Sequence, residues 1–138
     1  MSTPPASLAP RLAAWFAAER PATPHLAIDL DAVAARYREL AGALSPARIH
    51  YAVKANPEAA VLRLLAASGA QFDVASRGEV DLCLSLGIAA ERLSFGNTVK
   101  KRADIADAFA KGVRLFAFDS EAELDKLVEA APGADVYC

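Results

Sequence analysis

A single lysine, Lys54, closes the short apolar run Ile49-His50-Tyr51-Ala52-Val53, and Asn56-Pro57 ends the extended stretch just after it. Lysine is rarely buried without a partner, so two chemistries compete at this position. One is an ammonium that simply reaches solvent where a strand stops. The other is a desolvated amine that deprotonates readily and attacks a carbonyl to form a Schiff base. Asp73, inside the run Phe72-Asp73-Val74-Ala75, is the obvious counter-charge on an adjacent strand, and the pair Lys54–Asp73 is the expected reactive unit. Ser76, Asn97, Asp119 and Ser120 also follow apolar runs. Ser76 suits the cap of a helix over 77–86, with Glu79 completing a capping box, and Asp119 or Ser120 suits the cap of one over 121–131. His50 reads as a packed strand histidine or as a general base. Arg77 and the pair Lys100-Lys101 suit either a bound anion or a solvated helix start. No metal-ligand spacing, Ser-His-Asp set or Gly-rich phosphate loop accompanies these residues.

The elements that must position them repeat. Apolar strands are expected near Ile49, Phe72, Leu93, Leu115 and Val136, a period of about 22 residues. Helical patterns lie between them over 58–68, 77–86, 101–111 and 121–131, and Gly69, Gly87 and Gly112 stand at helix ends. Pro57 suits the first turn of the first of these helices. Strand, helix, strand at this spacing marks parallel βα units. With no G-x-G-x-x-G turn, a closed (β/α)8 TIM barrel is favoured over a doubly wound nucleotide fold. About four and a half of the eight units are present, so the chain is expected to be the N-terminal part of an α/β barrel and the front of something longer. Residues 1–24, with five of the eight prolines, read as an extension carrying a short helix over 11–20 in which Trp15 packs. Residues 25–138 read as the partial barrel. It opens with a strand over 25–30 and a helix capped by Asp31, with Val33, Tyr37, Leu40 and Leu44 at helical spacing.

Composition narrows the class. The 138 residues are 54% hydrophobic and 23% charged, with net charge −2, too apolar for a disordered chain. Slight acidity without a basic run argues against nucleic acid. No apolar stretch approaches the roughly 20 residues of a membrane span. Met1-Ser2-Thr3-Pro4-Pro5 has neither a positive start nor an apolar segment, so no signal peptide is expected. Cys83 and Cys138 fit a reduced, cytoplasmic setting.

Four blocks carry a resemblance. Tyr51-Ala52-Val53-Lys54-Ala55-Asn56 is similar to the pyridoxal-phosphate lysine motif of the alanine-racemase-like (fold-type III) basic amino-acid decarboxylases. Phe72-Asp73-Val74-Ala75-Ser76-Arg77-Gly78-Glu79, Phe95-Gly96-Asn97-Thr98-Val99-Lys100-Lys101 and Phe116-Ala117-Phe118-Asp119-Ser120-Glu121 resemble the family's next three motifs, in order and at its spacing. The wording is most similar to bacterial ornithine decarboxylases, with lysine and diaminopimelate decarboxylases as relatives. The resemblance implies a barrel plus a C-terminal β-domain, a homodimer with active sites at the subunit interface, and a small amino-acid substrate, ornithine first, on the way to polyamines. It implies that Lys54 holds pyridoxal 5'-phosphate, that Asp73 and Glu79 support the lysine, with Asp73 also catalytic, and that Ala52 lines the cofactor. It also implies that an arginine, a ring-stacking histidine, a glycine-rich phosphate loop and a glutamate of the family lie beyond Cys138, so this stretch alone is expected not to turn over. A non-catalytic remnant serving a full-length enzyme, or a small pyridoxal-phosphate carrier, are the competing readings.

Overall fold

In this computed structural model, which describes residues 8–138, the strands pair in the order in which the chain makes them. They are β1 (His50–Ala52), β2 (Gln71–Val74), β3 (Leu93–Phe95), β4 (Leu115–Ala117) and β5 (Asp135–Tyr137), all parallel, with β1 and β5 at the edges. Parallel neighbours need a crossover, which α3 (Ala59–Ala67), α4 (Arg77–Ser85), α5 (Arg102–Ala110) and α6 (Glu121–Ala130) provide. Helices α1 (Leu8–Glu19) and α2 (Leu30–Ala43) precede the sheet. The five repeating strands and the four crossover helices are thus all present, within a residue or two of the predicted limits. The Met1–Pro5 stretch lies outside the described residues.

Side chains alternate across a strand, so each strand offers one set of residues to each face. Phe72, Val74, Leu93, Phe95 and Phe116 are buried together with Leu62, Leu65, Val80, Cys83, Ile105 and Leu127 from the helices. This is the core. Burial, then the nearby Glu79 charge, pushes the Cys83 thiol up to about 11, so it behaves as a small apolar side chain. The opposite face carries Ala52, Asp73, Ser94 and Leu115, which the register places side by side across four strands. It is open, as the interior of an unclosed barrel would be.

Arg92 ties the second unit to the first. Its guanidinium donates to Ala70 O through Nε at 3.2 Å and to Ala66 O through Nη2 at 2.9 Å, and it stands over the Phe72 ring. These bonds hold Arg92 to the end of α3 and to the residue before β2.

Several local expectations fail. No strand forms over 25–30, and the segment pairs with neither edge of the sheet. Asp29 rather than Asp31 caps α2, accepting from Asp31 N at 2.9 Å and Ala32 N at 3.2 Å. Pro57 lies outside α3, whose cap position is Glu58. Leu40 and Leu44 of the expected apolar stripe are 47% and 50% exposed. Trp15 is 39% exposed and packs only partly, against the rings of Phe16 and His25.

Candidate active site

Lys54 does not end a strand. The run expected as a buried strand over 49–53 stops at Ala52, and Val53–Ala55 forms one turn of 3-10 helix. Val53 is fully buried and pins this turn to the core, which leaves Lys54 exposed. The turn is braced on both sides. The Tyr51 hydroxyl donates to Asn56 O at 3.3 Å, and Asn56 Oδ1 accepts from Glu58 N at 3.1 Å. Asn56 therefore leads from this 3-10 turn into α3 through an Asx turn. Burial raises the Tyr51 phenol above its ordinary value.

Asp73 stands on the open face of β2, registered against Ala52, two residues before Lys54. Its Oδ1 is buried and has no hydrogen-bond partner among the described residues. Burial raises its carboxyl above the usual range; the charges of Lys54 and His50 pull the other way, and Glu79 adds to the rise. The expected Lys54–Asp73 pair is therefore a neighbourhood and not a contact, since no ion pair within 4.0 Å joins them. An unpaired buried carboxylate oxygen is costly and points to a donor or cation supplied from elsewhere.

Glu79 takes a different task from the one its spacing suggests. Ser76 Oγ accepts from Glu79 N at 3.3 Å, as in a capping box. The return bond, however, goes to Ala75 N, at 2.7 Å from Glu79 Oε2. The carboxylate thus fixes the turn that leaves β2 beside Asp73.

His50, Asp73, Ser94, Leu115 and Tyr137 surround a hollow of about 440 Å³ on the open face. Ser94 Oγ and the Tyr137 hydroxyl lie 2.8 Å apart and share a hydrogen bond. Burial lowers the His50 imidazole despite Asp73, with Arg48 adding to the fall, which favours the neutral ring. Tyr137 and Ser94 were not expected as site residues; their only sequence signal is a polar residue on the inward alternation of an apolar strand.

Neither reading of Lys100 survives. Its ammonium is fully buried and donates to Glu123 Oε1 at 2.9 Å, Asn97 O at 2.8 Å and Ala117 O at 2.6 Å. Glu123 also accepts from Lys100 N at 3.1 Å, and Lys126 pairs with it and donates to Lys100 O at 2.6 Å. The loops after β3 and β4 are thereby clamped together under the rim of the site. Arg77 pairs with Asp107 at 3.1 Å on the surface, away from any anion role. Asn97 turns its amide to Val99 O, and Ser120 caps α6 through Glu123 N. Asp119 is exposed.

Comparison with known proteins places this geometry. Residues 30–138 match the family described as pyridoxal-dependent decarboxylase, pyridoxal binding domain. The chain is 41% identical over 119 residues to a lysine/ornithine decarboxylase of Selenomonas ruminantium, covering 86% of this chain and 30% of that protein. It is 39% identical over 113 residues to a chloroplastic ornithine decarboxylase of Nicotiana glauca, covering 82% and 26%. The solved lysine/ornithine decarboxylase of Vibrio vulnificus complexed with putrescine superposes with a TM-score of 0.85 at 35% identity, covering 94% of this chain and 36% of that one. The chain thus spans about a third or less of the length of these relatives.

Proposed function

Since this chain belongs to the pyridoxal-dependent decarboxylases through their pyridoxal binding domain, we propose that its protein removes the α-carboxylate of a basic amino acid, ornithine first, using pyridoxal phosphate held on Lys54. We take residues 25–138 as the barrel portion, 1–24 as an extension to it, and the working form as a cytoplasmic homodimer. The observation that carries the reading is the juxtaposition at the end of β1. An exposed lysine with no ion-pair partner among the described residues sits on a braced turn, one strand from a carboxylate oxygen that lacks a donor. These residues fit a covalently held group that also brings a proton donor or positive charge to Asp73.

When bound, pyridoxal phosphate supplies a conjugated ring that accepts the electron pair left as the carboxylate departs as carbon dioxide. The chain's own residues do the rest. The Lys54 amine is the nucleophile that fixes the group and is displaced by the substrate amine. Asp73 Oδ1 holds or passes the proton involved, helped by a carboxyl whose raised value keeps it closer to working pH. Ala52, beside Asp73 on the open face, leaves room for a flat ring. Glu79 keeps the β2–α4 turn in place. Ornithine is placed first, with lysine beside it, because two named relatives are a lysine/ornithine and an ornithine decarboxylase. The Vibrio vulnificus relative is solved with putrescine and, separately, with cadaverine, the diamines that ornithine and lysine give on losing carbon dioxide.

The 138-residue stretch taken alone is expected not to turn over, since its site face is open. Incubation with pyridoxal phosphate, borohydride reduction and peptide mapping test the anchor. The expected result is a single modified lysine, Lys54, lost in Lys54→Ala. Label spread over surface lysines, or unchanged in Lys54→Ala, would sink the assignment. For substrate, carbon dioxide release by the protein at the length of its relatives should be fastest from ornithine; a faster rate on lysine or diaminopimelate overturns that choice.

A further inference from the structure

Gly96 follows the last residue of β3, and its N–H donates to Val74 O at 3.0 Å, continuing the β2–β3 ladder by one bond. A Cβ added there would fall inside the Asp73 carboxylate, 2.6 Å from Cγ and 2.8 Å from Oδ2, with Oδ1 nearer still. The backbone does not ask for glycine at this position. The described glycines with positive φ are Gly69, Gly87, Gly112 and Gly133, and Gly96 is not one of them. What position 96 requires is the empty space above its Cα.

We propose that Gly96 is a positioning residue that sets where the Asp73 carboxylate stands, parking it over β3 and away from Lys54. The buried Oδ1 has no hydrogen-bond partner there and the Gly96 backbone N–H is the one β3 group that favours the charged carboxylate, so the place is open and weakly held. Strand β2 lies between β1 and β3. Closing the β3 side leaves conformers that lean over β1, the strand that leads into Lys54. The groups facing Asp73 are Lys54 and His50 from the first unit, Glu79 from α4, Ser94 and the Gly96 N–H from the β3 segment, and Tyr137 from β5. Of these, only Lys54 and His50 draw the carboxylate toward β1. Residue 96 therefore tunes how strongly Asp73 couples to the lysine. This deepens the reading of Lys54 as the anchoring residue and rests on it for its consequence, though the carboxylate's position can be measured without the cofactor.

The test compares the full chain with Gly96→Ala, Asp73→Asn and Gly96→Ala/Asp73→Asn. The Asp73 side-chain carbon and the Lys54 amine are followed by NMR across pH without cofactor, and the pH profile of Lys54 labelling by pyridoxal phosphate is followed separately. In Gly96→Ala the Asp73 carboxyl should titrate lower and Lys54 higher, each by about one unit, as an opposite charge brought to within ~4–6 Å would do. Labelling at a fixed pH below the amine's titration should fall by about tenfold, and both changes should vanish in the Asp73→Asn background. Unchanged Asp73 titration, or an equal Lys54 shift without the carboxylate, overturns the proposal. If Gly96→Ala fails to fold, Gly96→Ala/Asp73→Ala must fold, because the clash is with the carboxylate; a double variant that stays unfolded also overturns it. If Asp73 moves as expected but no single lysine takes the cofactor, the anchor reading fails and the positioning role of Gly96 stands.

Discussion

Lys100 uses all three of its ammonium donors inside the protein, on Glu123, Asn97 O and Ala117 O. Removing Lys100 takes an ionic partner from buried Glu123, whereas removing both relieves that charge but still strands the Lys100 N–H and Lys126. Lys100→Met is therefore expected to lower unfolding stability by about 3–5 kcal/mol, with only part of it restored in Lys100→Met/Glu123→Leu, where the Lys100 N–H and Lys126 lose Glu123. Urea titration of the full cycle checks this; additive losses would show that the pair is not a unit. Glu123 and Asp73 depend on pH with opposite sign. Burial alone would raise Glu123, but hydrogen bonds from Lys126 and Lys100 outweigh it and hold the carboxyl below its ordinary 4.5, so its contribution is present above that value and lost as pH falls through the folded one. Asp73 is raised from 3.8, so stability is full below that value and declines as pH rises through the folded one. Asp73→Asn should accordingly gain stability at pH 7, with the gap closing toward pH 3.8. Melting curves against pH check it. Lys54 and Asp73 were legible in the sequence because each interrupts an apolar run. Lys100 was not, since its partner Glu123 reads locally as an ordinary acid in the first turn of a helix.

At the scale of elements, the helix starts and stops follow from single residues. Ser76 and Ser120 each accept from the N–H three residues on, at 3.3 Å, so Ser→Ala at either is expected to cost about 1 kcal/mol. Gly112 and Gly87 both have positive φ, yet a Cβ at Gly112 would lie 3.0 Å from Ala90 Cβ, while Gly87 has nothing within 4 Å. Gly87→Ala should cost about 1–2 kcal/mol for backbone strain alone, and Gly112→Ala more. Chemical denaturation of the two variants separates these terms; equal losses would remove the packing contribution at Gly112. The same punctuation made the sheet readable in advance: caps, glycines and a steady repeat locate each unit within a residue or two. Residues 25–30 and Val53–Lys54 misled because an apolar run does not say whether a partner strand is alongside.

The whole molecule is a parallel sheet with a core on one face and an open hollow on the other. Parallel sheets are normally covered on both faces. The chain expressed alone should therefore bind an apolar dye and self-associate more than the protein at the length of its relatives, as fluorescence and sedimentation would show; equal behaviour would mean that the open face is satisfied by this stretch itself. That the barrel could be expected from sequence at all follows from its regular step. His50 pairs with Gln71, Phe72 with Leu93 and Ser94 with Leu115, and Leu115 then pairs with Asp135. Strand order equal to chain order also has a kinetic meaning. Each strand meets a neighbour that is already made, across a loop of one crossover, so closure entropy stays small at every step. A ribosome releasing this sequence from its N-terminus hands over one βα unit at a time, and each can dock before the next has emerged.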